Sequence, residues 1–91
     1  MRANDMTKEK QDFVPSKKIL PRIMRVLLEN NSINRTALAI AANLNYSVLS
    51  KYVIWLETKS FVEFTISYGK LAVKLTENGR EFAVRLASLP Y

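Results

Sequence analysis

From residue 37 to residue 57 the chain reads ALAIAANLNYSVLSKYVIWLE, two helical patterns with only Asn43-Leu44-Asn45 between them. Neither glycine nor proline, the usual markers of a turn, stands in that gap. Asparagine is the residue that, after glycine, most readily enters the left-handed backbone region, so Asn43 can end one helix as a glycine would. Asn45 is a strong N-cap for the next helix. Leu44 precedes that cap and Leu49 lies four residues past it, the spacing of a hydrophobic staple. Together these make a short, stiff bend and force two helices to cross steeply.

The flanking segments supply the partners. In PSKKILPRIMRVLLENN, Ser16 is a cap candidate, and Leu20, Ile23, Met24 and Leu27 fall on one helical face. Pro21 has no N–H to give a preceding turn. The expectation is therefore a first turn from Ser16 joined to the helix through a kink, with Asn30-Asn31 ending it. Ile33 suggests a short strand. Asn34 caps the second helix, whose narrow inner face is Leu38, Ala41 and Ala42. Residues 1–13 are polar and without periodicity, and a mobile tail over 1–14 is expected before a single domain over 15–91.

After the third helix the period changes to two. Val62, Phe64, Ile66 and Tyr68 alternate with polar residues, and Leu71, Val73 and Leu75 resume the alternation. A two-residue loop at Gly69-Lys70, of type II′, sets Tyr68 opposite Leu71, Ile66 opposite Val73 and Phe64 opposite Leu75. Thr76 caps a last helix with Phe82, Leu86 and Leu89 along one side, and Pro90 stops it. The fold class is mainly α with one β-hairpin, in the order helix, helix, helix, hairpin, helix.

Composition narrows the chemistry. Cysteine and histidine are both absent, which removes disulfides, thiolate metal sites, and the commonest general base and metal ligand. The eight acidic residues are scattered, without a helix-spaced pair in an apolar setting, so no enzymatic activity is expected and no cofactor is implied. The net charge of +6 falls on residues 13–91, because the first twelve residues cancel. A basic fold without catalytic groups suggests a polyanion partner, nucleic acid before an anionic membrane, although basic surfaces also serve solubility alone. No apolar run approaches membrane-spanning length, and the first residues lack the apolar core of a signal peptide, so a cytoplasmic location is expected.

The bend resembles the helix-turn-helix of DNA-binding proteins. Leu38, Ala39, Ala42, Leu44, Leu49 and Tyr52 stand where that motif takes apolar or small residues, and Asn43 stands where it usually has glycine. With the hairpin following, residues 16–89 resemble a winged helix. The stretch NYSVLSKYVIWLETKSFVEF leading into KLTENGREF is similar to small archaeal winged-helix transcription regulators and chromatin-associated proteins. Ser60 replaces the glycine usual there, and the wing is short. The resemblance implies binding of double-stranded DNA in the nucleoid, with transcription regulation as the task. Winged helices also serve as protein-interaction modules, and that alternative stays open.

At about 100° per residue, Leu49, Tyr52, Val53 and Leu56 of the third helix (45–58) cluster inward. Ser47, Ser50, Lys51, Ile54 and Thr58 point the other way, with Asn45 and Tyr46 at the start. A small, polar outer face can lie deep in a major groove, where serine and lysine meet bases or phosphates. An ordinary solvated face has the same spacing. Neither Arg nor Gln is there for bidentate base contacts, so modest specificity is expected. Phosphate candidates are Lys70 at the expected wing tip, Arg35 opening the second helix, and Lys17 and Lys18 before the first. Trp55 and Val48 flank the inner face, where an indole covering the core edge is the simpler assignment. Ala83, Val84 and Ala87 form a second apolar patch on the last helix, and with Tyr91 they are the expected homodimer interface. The alternative is that this patch packs on the first helix of the same chain. No small-molecule pocket is legible.

Overall fold

The structure, a computed structural model, describes residues 13–88. It contains α1 (Leu20–Leu28), α2 (Arg35–Ala41), α3 (Tyr46–Thr58), β1 (Val62–Ser67), β2 (Lys70–Leu75) and α4 (Glu77–Ser88). The expected order of helices and hairpin is the one found. The expected tail at 1–12, and Leu89, Pro90 and Tyr91, lie outside the described residues. Phe13, placed in the tail by its polar surroundings, instead sets its ring edge-on against Tyr52 at 5.1 Å and packs on the core.

One core joins all the elements. Leu20, Ile23, Met24 and Leu27 of α1 meet Leu38, Ala39 and Ala42 of the second helical segment. Leu49, Tyr52, Val53 and Leu56 of α3 close it from the side, and Val62, Val73 and Leu75 from the hairpin base. Ala39 rather than Ala41 lies on the inner face of α2; Ala41 is exposed. The Ser16 turn exists, with its hydroxyl oxygen accepting from the N–H groups of Lys18 (3.1 Å) and Ile19 (3.4 Å). The helix itself opens at Leu20, so Pro21 falls in its first turn, where a missing N–H removes no intrahelical bond.

The bend between α2 and α3 is built as the asparagines require. Asn43 has φ 60°. The Asn43 N–H donates to the Ile40 carbonyl at 3.1 Å and the Leu44 N–H to the Ala39 carbonyl at 2.9 Å, a Schellman closure. Asn34 and Asn45 cap α2 and α3, their Oδ1 atoms accepting from Ala37 N (2.8 Å) and Val48 N (2.9 Å). The same closure ends α3. Ser60, with φ 65°, donates through its N–H to Glu57 O (2.9 Å), and Phe61 N–H to Leu56 O (2.9 Å). Ser60 thus occupies a left-handed position that glycine would fill without steric cost.

The hairpin register differs from the expected one. Ser67 pairs with Lys70, Ile66 with Leu71, Phe64 with Val73 and Val62 with Leu75. The two-residue loop is Tyr68-Gly69, and both have positive φ, 53° and 75°. That is the requirement of a type I′ turn, whose twist matches the strands, and glycine here takes the second position rather than the first. The pairing has moved by two residues, so the apolar side chains keep a common face. The cost of placing tyrosine in the left-handed region is about 1–2 kcal/mol. Ile33 forms an antiparallel bridge to Val73, with Ile33 N–Val73 O at 3.0 Å and the reciprocal bond at 2.8 Å. The suggested short strand is this bridge.

Helix α4 is anchored through LTENGR. The Thr76 hydroxyl donates to the Ser60 carbonyl at 2.6 Å and accepts from the Gly79 N–H at 3.0 Å. A Cβ on Gly79 would overlap the Phe61 carbonyl oxygen, so only glycine lets this turn lie on the end of α3. The Phe61 and Phe82 rings stack at 4.3 Å, 9° from parallel. Ala83, expected on a dimer surface, is 1% exposed and belongs to the protein's own core. Helix α1 packs on α4, and a small residue suits a close helix crossing. Val84 and Ala87 remain exposed.

Candidate nucleic-acid interface

The outward face of α3 is presented as its spacing predicts. Ser47, Lys51 and Thr58 are exposed, Ser50 is half-buried, and Ile54 is 62% exposed. The opposite side, Leu49, Tyr52, Val53 and Leu56, is buried. Tyr52 is tied further, its phenol oxygen accepting from the Ser16 N–H at 2.9 Å. Rotation of α3 about its axis is therefore fixed from within, and its polar face is fixed with it.

Individual positions carry different duties. Asn45 Oδ1 accepts both the Val48 N–H and the Ser47 hydroxyl, each at 2.9 Å, so its oxygen is spent on the cap and only its amide nitrogen is left for a ligand. The Thr58 hydroxyl donates back to the Ile54 carbonyl at 2.9 Å. Arg35, first residue of α2, holds its guanidinium 5.8 Å from the centre of the Tyr46 ring. Two sequence-predicted residues are brought together there, a cation and an exposed aromatic at the starts of successive helices. Lys17 and Lys18 are exposed in the turn before α1.

Lys70 is exposed but is not on the loop; it opens β2 opposite Ser67. With Ser67 and Tyr68 it lines a shallow cleft whose other wall is Ser32, Ile33 and Asn34, the residues just before Arg35. The hairpin end thus lies beside the start of α2. Trp55 covers the core edge as expected, 6.3 Å from Phe61, with the Lys59 ammonium 5.8 Å from its ring.

Two residues escaped the sequence. Arg22 of α1 donates from one guanidinium nitrogen to the carbonyls of Ala42 (2.6 Å) and Asn43 (2.9 Å), closing the bend from outside. Nothing local marks it. Tyr68 stands wholly exposed on the loop, and an aromatic directly before Gly69 was the signal. Among the described residues no group of acidic side chains is placed to hold a metal, and no helix is long and apolar enough to cross a membrane.

The sequence profile of the winged helix-turn-helix family matches residues 17–89. The chain belongs to that family. The hairpin is its wing and α3 the second helix of its helix-turn-helix. No curated protein matches the sequence closely enough to count as a relative. Among solved structures, two MarR-family transcriptional regulators from Silicibacter pomeroyi are similar. One is 24% identical with a TM-score of 0.66, covering 75% of this chain and 49% of its own. The other is 25% identical with a TM-score of 0.70, covering 79% and 49%. Sso10a-2, a DNA-binding protein from Sulfolobus solfataricus, is 21% identical with a TM-score of 0.62, covering 75% of this chain and 74% of its own. The chain spans about half the length of the MarR-family regulators it matches.

Proposed function

We propose that this winged helix-turn-helix protein binds double-stranded DNA as a transcription regulator, laying α3 in the major groove and resting the wing on adjacent backbone. The observation that carries the proposal is the outer face of α3. It is small and polar around Lys51 and Ile54, and the capped bend and the buried opposite side hold it in one orientation. Serines and a lysine reach phosphates and base edges, and Ile54 meets thymine methyl groups. Arg35, Lys70, Lys17 and Lys18 supply phosphate contacts around it. The similar proteins point the same way, since two are described as transcriptional regulators and one as DNA-binding.

Selecting bound sequences from a random duplex pool tests the proposal. A short, recurrent, thymine-containing site is expected, with specificity falling away outside it. Failure to retain any duplex at low salt overturns the proposal and favours the protein-interaction reading.

Pairing is the second element of the proposal. Two copies would present two α3 helices to half-sites about one DNA turn apart. On the described part of α4 the residues left for such contact are Val84 and Ala87, beside Arg80, Glu81 and Arg85. Sedimentation at micromolar concentration, with and without duplex, tests it through Val84→Glu with Ala87→Glu. A wild type that stays monomeric on DNA contradicts pairing.

A further inference from the structure

The wing ends in an arrangement that its own folding does not require. Val62, Phe64, Val73 and Leu75 place the base of the apolar face on the core, but that face continues outward through the Ile66–Leu71 pair. Ile66 is 67% and Leu71 44% exposed. Beyond them Tyr68 stands fully in solvent, at a left-handed position where asparagine or glycine would sit with less strain. The tip lies about 13 Å past the last core pair, four residues at strand rise. From Phe64 to Val73 the sequence holds Lys70 and no acidic residue, while Lys74, nearer the core, stands opposite Glu63. A costly, exposed aromatic on an apolar stem, with Lys70 beside it, fits a polyanion that also offers flat apolar rings.

We infer that Tyr68 is a base-stacking contact, inserted by the wing at a loosened step of the bound duplex, with Ile66 and Leu71 against the deoxyribose walls and Lys70 on a flanking phosphate. The assignment rests on the DNA-binding reading and adds a preference to it. Apolar and aromatic wedges partly unstack flexible base steps, and a ring gains most where a base is already poorly held. The protein is therefore expected to favour duplexes with a loose base over fully paired ones.

The test uses fluorescence anisotropy with two labelled duplexes of one sequence, fully paired or carrying a single-nucleotide bulge, against the full chain. Wild type and Tyr68→Phe should bind the bulged duplex more tightly. Tyr68→Asn should lose about 5- to 150-fold on it, the range of one base–aromatic stack, with an unchanged salt slope. The thermal midpoint of Tyr68→Asn should rise rather than fall, because asparagine accepts the left-handed backbone, so lost binding would not reflect lost folding. Equal binding of both duplexes by wild type, or wild-type affinity in Tyr68→Asn, overturns the stacking role and assigns the ring to another contact. A wild type that binds neither duplex at low salt instead fails the DNA-binding reading on which the assignment rests.

Discussion

Arg22 on α1 reaches the Asn43 carbonyl at 2.9 Å while also bonding Ala42, so a cation from one helix closes the left-handed bend between two others. The last carbonyls of a helix have no partner within it, and a cation at that end also suits the helix dipole. Charge-assisted hydrogen bonds of this kind contribute about 1.5–3 kcal/mol. Arg22→Met keeps the apolar stem and removes the donors. It should lower unfolding stability by about 2 kcal/mol in urea, with the helical far-UV signal retained.

The junction of α3 with α4 admits less change. Gly79→Ala places a methyl group on the Phe61 carbonyl, whose carbon lies 2.7 Å from the Cβ position and is part of the backbone. Overpacking against a segment that cannot swing away costs about 3 kcal/mol or more. Thermal melts should show Gly79→Ala unfolded or strongly destabilised. Thr76→Ser, which retains the hydroxyl bridge from Ser60 to Gly79, should stay close to wild type.

Two non-glycine residues occupy left-handed helix ends, Asn43 at φ 60° and Ser60 at φ 65°. Serine gains less there than asparagine, so Ser60→Gly should raise stability by up to about 1 kcal/mol, while Asn43→Ala should cost about 1 kcal/mol. Equilibrium denaturation of the two variants checks both signs.

These positions also divide what the sequence discloses from what it hides. Asn34, Asn43 and Asn45, and Thr76 in capping Gly79, act through backbone groups within a few residues of themselves, so those roles were legible from local spacing; the bond from Thr76 to Ser60 was not. The buried stripe of α3 was legible for the same reason. The hairpin's existence followed from its alternation, but a shift of two residues preserves that alternation. Only the loop geometry, with Tyr68 accepting a positive φ, chose the register. Ala83 was misplaced because a small apolar residue suits a dimer face and a close helix crossing equally well. Arg22 lies 20 positions from Ala42, and no local pattern reports so distant a contact.

On α3 and the wing, two lysines should behave differently. Lys70→Ala should weaken all duplexes about equally and lower the salt slope by about one. Lys51→Ala should cost about 1–3 kcal/mol on a selected site and alter the sequence preference. Anisotropy titrations on selected and scrambled duplexes separate the two effects. If neither variant moves affinity or slope, the docking of α3 and the wing is wrong.

The salt dependence of binding to an arbitrary duplex measures most directly whether these exposed cations serve DNA. Contacts from Lys17, Lys18, Arg35 and Lys70 would release about four counterions, giving a slope of about −3.6 in log affinity against log salt. Affinity at low salt that falls with roughly that slope is the predicted result. No binding at low salt, or binding indifferent to salt, would mean that the protein is not a duplex-DNA binder of this kind.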